Sequence, residues 1–401
     1  MFAQCKATGV EKQLFRATGR APGTTIHLTQ EHDMSDQALS TEQRREQEKA
    51  IEAIERAALV YPPMPAPEPG KSVEVAPGLR WVRIPMPYAL DHINVWAIDD
   101  GAAGWAVVDT GMCNDEAGRA WQQLFDSAPD RRSLSRVIVT HMHPDHVGMA
   151  GWLTRKFGVR LWMTRLEYLM CRAVVADTGR EAPPDGNEFY RRAGWNKSSV
   201  ESYWVRFGNF GKHIHALPDS YRRIVDGEEI RIGDHIWRVV VGRGHSPEHA
   251  CLYCPDLKVL ISGDQILPRI SSNVSVYALE PDANPMAEWL ESLAYIKQQV
   301  PDDVLVLPAH HECFRGLHVR IEALQAGQDR ALNRLRAAMT GPKRAVDLFG
   351  ALFYRDIRDD QIPLLSLATG EAIACLNYLI GLGELRCHTD DQGVLWYEPV
   401  A

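Results

Sequence analysis

The sequence predicts an α/β protein, and three patterns predict it. Between Val73 and about Phe314, short β-rich runs alternate with helical segments, the order expected of sheets covered by helices. Turn residues such as Gly, Asp and Pro separate those runs. After about Arg320 the pattern becomes helical and closes on two short strands, so a second, smaller architecture follows the first.

The elements follow in order. Residues 1–40 are polar, irregular and Gly/Thr-rich, and read as a disordered N-terminal extension. Met34, at the head of MSDQALSTEQ, would serve as a translation start. A helix is expected from about Thr41 to Val60, with Ile51, Ile54, Ala58 and Leu59 on one weakly amphipathic face. It stops at YPPMPAPEPG, where prolines forbid continuation, so residues 41–72 are a helix and an extended Pro-rich linker. A domain over 73–318 then opens with the strands GLRWVRIPM, HINVWAI and GWAVVDTG. A helix over Glu116–Phe125 and the apolar strand RVIVT follow. Residues 160–225 hold helical pieces rich in aromatics and form a helical cap insert. EEIRI, HIWRVVVG, ACLYC and KVLISGD restore the strands. Over 319–401 come a long helix to about Met339, a helical GPKRAVDLFGALF, the helix ATGEAIACLNYLIGLGEL, and two strands around a DDQG turn. That order is winged-helix-like.

Composition narrows the function classes. The 401 residues are 45% hydrophobic and 24% charged, which allows a sizeable core. A net charge of −8 argues against general affinity for nucleic acid or an anionic membrane. No run approaches the ~18 uninterrupted apolar residues of a membrane span, and no secretory h-region opens the chain. Eight scattered cysteines do not suggest a disulfide framework, so a cytoplasmic location is expected. The one C-x-x-C pair, Cys251 and Cys254, sits in a strand–turn–strand pattern and reads as packing.

The chemistry is concentrated in THMHPDHVG. His141, His143, Asp145 and His146 place four metal-capable side chains within six residues, between an apolar strand and a helical run. His141 and His143, two apart in extended chain, project to one side, and Asp145 and His146 can face a second position. Nothing apolar would tolerate that cluster. Three further ligand types each follow a strand: His245 in GRGHSPEH, Asp264 in LISGDQ and His310 in LVLPAHHE. Ligands at strand ends are rigidly held yet open to solvent.

Taken together, H-x-H-x-D-H, GHSPEH, SGD and PAH resemble the metallo-β-lactamase superfamily over roughly Val73–Phe314. The resemblance implies an αββα sandwich with metals at one end. It implies one metal on His141, His143 and His245, a second on Asp145, His146 and His310, and Asp264 bridging both. His310 is preferred to His311 because it completes PAH, which matches the family's P-G-H with Ala309 in place of glycine. Asp109, in VVDTG, matches an aspartate that supports the ligands from behind. Imidazole and carboxylate donors suit two divalent ions, zinc first, with iron or manganese compatible. Two metals sharing water would generate hydroxide near neutral pH to attack a carbonyl or phosphoryl, with Asp145 as the catalytic group that orients it.

The same residues sort the substrate classes. Zinc β-lactamases place cysteine or serine where Asp264 stands, and quorum-quenching lactonases place tyrosine where Leu267 stands. Flavodiiron reductases carry glutamate at the position of His143, and sulfur dioxygenases commonly use a single iron. GHSPEH and SGD resemble the glyoxalase II and acyl-thioesterase branch, so a small-molecule thioester is the expected substrate, although a glutathione-binding C-terminus is not evident. Lactamase plus winged helix also resembles the mitochondrial lactamase-like endoribonuclease, the alternative reading beside a lactonase. Residues 329–401 carry eight basic and ten acidic residues, a net of −2, and TGEAIACLNYLIGLGEL has no Lys or Arg. A phosphate-reading helix needs basic residues. The C-terminal part therefore reads as a packing or homodimerisation module, and a nucleic-acid partner is not expected. Trp195, Tyr203 and Phe210, near Arg191, Arg192 and Arg206, could hold an acyl chain and its anionic head group, the alternative for this insert being a plain stabilising helical layer.

Overall fold

The computed structural model describes residues 41–127 and 133–400, so the extension expected over 1–40 lies outside the described residues. The chain enters through α1 (Thr41–Ala57), which ends ahead of the prolines at 62 and 63. A mixed seven-stranded sheet then forms in chain order: β1 (Ser72–Ala76), β2 (Leu79–Pro85), β3 (His92–Asp99), β4 (Trp105–Val108), β5 (Leu134–Ile138), β6 (Leu161–Met163) and β7 (Arg222–Arg223). Short turns make β1 to β4 antiparallel. From β4 onward the neighbours are parallel, which requires long crossovers. These are supplied by α2 (Asp115–Ser127), then by α3 (Pro144–Val147) and α4 (Ala150–Phe157), then by α5 (Arg165–Ala176), α6 (Pro184–Arg192) and α7 (Lys197–Arg206).

The second sheet holds β8 (Glu229–Ile232), β9 (His235–Gly242), β10 (His249–Cys254), β11 (Val259–Gly263) and β12 (Leu305–Pro308), in the order β12-β11-β10-β9-β8. Only its β11–β12 pair is parallel, joined through α8 (Pro285–Gln299). Side chains alternate along each strand, and both faces are used. Leu79, Trp81, Trp96 and Ile98 of the first sheet meet Trp237, Val239, Leu252 and Ile261 of the second in one inter-sheet core. Val82, Ile84 and Val95 turn the other way, toward Trp121 of α2 and Leu153 of α4. Val240, Cys251, Leu260 and Val306 turn outward beneath α8 and the C-terminal helices. The result is the four-layer αββα sandwich. Cys251 and Cys254 fall in different cores, on opposite faces of β10, and both are free.

The C-terminal module comprises α9 (Leu317–Ala338), a 3₁₀ turn at Ala345–Leu348 running into α10 (Phe349–Leu352), α11 (Ile362–Gly381), and the hairpin β13 (Leu385–Thr389) with β14 (Leu395–Pro399). The helix expected over GPKRAVDLFGALF shrinks to those two short turns. Lys343 is held in an antiparallel bridge to Tyr397 of β14 and Arg344 is extended, so the start of the run stays out of the helix. The module shares one continuous core with the outer face of the second sheet. Arg330 of α9 clasps α1 through Glu48 and Glu55, both at 3.1 Å. Among the described residues one helix, α11, is long and apolar enough to cross a membrane, yet Ala368, Ala372, Leu376 and Leu379 are buried in this core.

Candidate metal centre

Four chain segments deliver polar side chains to one edge of the sandwich. β5 runs out at Ile138, and Val139 and Thr140 carry the chain to His141. His143 caps α3, with Pro144 starting its first turn, so Asp145 and His146 leave the chain in a new direction. Beyond β9, Gly244 adopts φ +95°, where a Cβ would sit 2.5 Å from the Pro285 carbonyl oxygen and 2.6 Å from Trp289. Only glycine allows that turn, and it presents His245. Asp264 follows β11, and its amide donates to Nε2 of His249 at 3.1 Å. His310 follows β12, in a loop held by the Asn94 amide, which donates to the carbonyls of Pro308 (2.8 Å) and His311 (2.9 Å).

The seven residues expected as ligands converge. Potential ligand atoms of His141, His143 and His245 lie within 4.8 Å of one another, as do those of Asp145, His146 and His310, and those of His141, His146 and Asp264. The carboxylate of Asp264 stands between the first two groups. Its Oδ2 is 3.5 Å from His245 Nε2 and 3.4 Å from His146 Nε2, and its Oδ1 is 3.4 Å from His310 Nε2. Asp145 Oδ2 is 3.4 Å from His310 Nε2 and 3.7 Å from His146 Nε2. His311 belongs to none of these groups and takes φ +69°.

Three observations test whether a metal fits. The carboxylate–imidazole spacings exceed the usual 2.7–3.2 Å of a hydrogen bond. They match instead the edge of a tetrahedron whose ligands stand about 2.0–2.1 Å from a centre, about 3.4 Å. His146 Nε2 and Asp264 Oδ1 are buried with no hydrogen-bond partner in the protein, a costly state unless a cation completes them. Finally, outward nitrogens are already used: His146 Nδ1 meets Asp109 Oδ2 at 2.8 Å, His245 Nδ1 meets the Asn273 carbonyl at 2.8 Å, and His310 Nδ1 meets the His92 carbonyl at 3.0 Å. Those bonds leave each Nε2 facing the cluster with its lone pair.

Electrostatics divide the two triads. Burial, reinforced by neighbouring histidines, pushes His143 down to about 3 and His141 well below the usual imidazole range, so both are neutral donors. Around His146 burial acts in the same direction, but Asp109, Asp264 and Asp145 override it and raise the imidazole. His310 is raised likewise, by Asp264 and Asp145 against its burial. The carboxylates of Asp145 and Asp264 are lowered despite burial, by His146 and His310. His141 and His143 thus enter the first triad as neutral donors, and the other triad sits in a strongly negative field suited to a cation.

The metallo-beta-lactamase superfamily model matches residues 88–310. This chain belongs to the metallo-β-lactamase superfamily. A second model, described as the metallo-beta-lactamase-like C-terminal domain, matches residues 332–400. A beta-lactamase domain protein from Burkholderia ambifaria is similar in structure, with TM-score 0.78 and 39% identity over 86% of this chain and 100% of that one. A metallo-beta-lactamase family protein from Thermus thermophilus aligns with TM-score 0.63 and 25% identity, covering 82% and 100%. The probable metallo-hydrolase YqjP of Bacillus subtilis (strain 168) is 23% identical over 257 residues, 60% of this chain and 74% of that protein. Superfamily membership makes the chain a metallo-hydrolase and implies divalent metal ions, commonly zinc, at its His/Asp cluster.

The supporting residues are less legible in the sequence than the ligands. Asp109, buried at the end of β4 with φ +63°, accepts the Thr140 amide at 2.8 Å and the Thr140 hydroxyl as well as His146. The sequence marks Asp109, whereas it does not single out His249 or Glu167. His249 is visible as the second histidine of GHSPEH; it is buried, neutralised by its burial, and accepts from the Asp264 amide. Glu167 is buried and accepts the amides of Met142 and Glu248, both at 2.8 Å, tying the two histidine loops together. The insert departs from expectation. Trp195 is buried and donates to Thr369 of α11 at 2.8 Å, and Tyr203 packs against Tyr190. Phe210 packs against the helical layer, and Arg191 is paired with Glu188. These aromatics are spent on packing: Trp195 and Tyr203 in the core shared with α11, and Phe210 in the core on the outer face of the first sheet.

Proposed function

We propose that the chain is a dinuclear metal-dependent hydrolase of acyl thioesters, of the acyl-CoA or acyl-glutathione type. His141, His143 and His245 would hold one ion, Asp145, His146 and His310 the other, with Asp264 between them. The observation that carries the two-ion reading is the Asp264 carboxylate, whose two oxygens address histidines of both triads at 3.4–3.5 Å. When bound, such a pair supplies Lewis acidity and lowers the pKa of water toward neutrality. Asp145 is the more open of the two carboxylates, with 21% of its side chain exposed against 12% for Asp264. It is therefore the group suited to orient an incoming water and take its proton.

Two features support thioesters over the alternatives. Leu267, where lactonases have tyrosine, is a buried apolar side chain and offers no hydroxyl to a lactone. α11, which would have to enter a nucleic-acid groove, is committed to the core through Ala368, Thr369 and Ala372. The test assays acyl-CoA, acyl-glutathione, lactone and RNA substrates on one metal-reconstituted preparation, with His141→Ala as the control. Thioester turnover with a shallow salt response is expected. RNA cleavage that vanishes in the control and falls steeply with salt, without thioester turnover, would replace this reading with the endoribonuclease.

A further inference from the structure

α11 carries a glycine, Gly370, in its middle. Glycine there costs about 1 kcal/mol relative to alanine, so a reason should exist. A Cβ at Gly370 would lie 2.7 Å from the Val276 carbonyl oxygen and 2.8 Å from Ser275 Cβ. The helix is therefore pressed directly on the backbone of the segment that follows Asp264. Two hydrogen bonds fasten the contact, and a third braces Asn273. The Val276 amide donates to the Gly370 carbonyl at 3.0 Å. The Asn273 side-chain amide donates to Glu371 Oε2 at 2.9 Å, and the Ser275 hydroxyl donates to Asn273 Oδ1 at 2.5 Å. The Asn273 backbone carbonyl is the acceptor for His245 Nδ1 at 2.8 Å.

We propose that α11 is a positioning element of the metal centre, with Gly370 and Glu371 setting the location of the carbonyl that orients His245. The inference rests on the metal reading above and gives the C-terminal module a role in it. A carbonyl that holds Nδ1–H fixes both the tautomer and the ring plane, so that Nε2 meets the ion as a lone pair. Moving the 273–276 segment outward by the few tenths of an ångström that a methyl group demands would rotate His245 away from His141 and His143. Neither Gly370 nor Glu371 would touch ion or substrate; they act through Asn273.

The test measures Zn²⁺ affinity by chelator competition, and the visible spectrum of the Co²⁺-loaded protein, for four variants of the full chain. Gly370→Ala and Glu371→Leu should weaken the His141–His143–His245 site by roughly 10–100-fold and perturb its Co²⁺ spectrum, a loss larger than any fall in metal-free melting temperature accounts for. Glu371→Gln keeps an oxygen that accepts from Asn273 and should behave as wild type. Gly350→Ala makes the same change in α10, where a Cβ meets nothing within 4 Å, and should also be silent. Wild-type metal affinity in both Gly370→Ala and Glu371→Leu overturns the proposal. So does a loss of affinity that only tracks a loss of metal-free stability, since that is a merely structural role. If wild type itself binds no metal, the metal reading fails and this inference falls with it. If wild type binds and the two variants bind equally, this inference fails alone.

Discussion

Asp109→Asn separates the two proposed metal positions. Asp109 accepts from a backbone amide on one oxygen and from His146 Nδ1 on the other, both at 2.8 Å. Asparagine keeps the size and tolerates the left-handed φ of +63° at least as well as aspartate does, but it replaces one acceptor with an NH₂ donor. The Thr140 amide cannot change its role, so the asparagine oxygen must stay with it. The NH₂ then faces His146, which can adapt only by moving its proton from Nδ1 to Nε2. That proton points at Asp145 and Asp264, where a lone pair is needed. The fold loses one hydrogen bond to a charged group, about 1.5–3 kcal/mol. The ion on Asp145, His146 and His310 should weaken about 10–100-fold, the usual cost of losing such a partner, while the ion on His141, His143 and His245 remains. Metal analysis after gel filtration should fall from two ions toward one, and calorimetric titration should show one unchanged and one weakened site. Two ions at wild-type affinity would refute the tautomer argument.

Other outcomes follow from the same geometry. Asp145→Ala should lower thioester turnover at least about 100-fold while leaving the metal-free melting temperature within a few degrees, and turnover retained with both ions present would remove it from the mechanism. Gly244→Ala, forced against Pro285 and Trp289 at φ +95°, should cost about 2–4 kcal/mol in urea unfolding; an unchanged midpoint would show that the turn can relax. Burial raises Glu371 to about 7, against the pull of its Asn273 hydrogen bond. A carboxyl whose folded pKa is raised contributes stability below its unfolded value, near 4.5, and loses it as pH rises through 7. Urea unfolding at about pH 5 and about pH 8 should therefore show wild type losing stability relative to Glu371→Gln, and parallel behaviour of the two would contradict the assignment.

The candidate ligands are legible because each is announced locally. An apolar strand ends, and a histidine or aspartate follows within a few residues, as at Asp264 after β11 and His310 after β12. The sandwich is legible because strand runs such as HIWRVVVG supply apolar residues to both faces. What escapes depends on chain segments far apart in sequence. Asn94 reaches residues more than 200 positions away, and Glu167 bonds Glu248 across 81. No local pattern marks those pairings. The insert's aromatics mislead for a related reason. An exposed groove and a buried contact both call for Trp and Tyr, and only the partner helix, itself some 170 residues downstream of Trp195, decides between them.

The placement of the candidate ligands also bears on the order of folding. His141 and His146 leave the first sheet and His245, Asp264 and His310 leave the second, with His141 and His245 104 positions apart. Neither triad can be complete in either sheet alone: the three-nitrogen site needs β5 and β9, and its neighbour needs β5 and β12. Ions held there would act as cross-links between the two halves of the sandwich, and tight binding must await their docking. Because so much chain separates the ligands, that docking is slow, long-range chemistry. Ions arriving afterward would mainly retard the parting of the sheets, extending the lifetime of the folded molecule without hastening its formation.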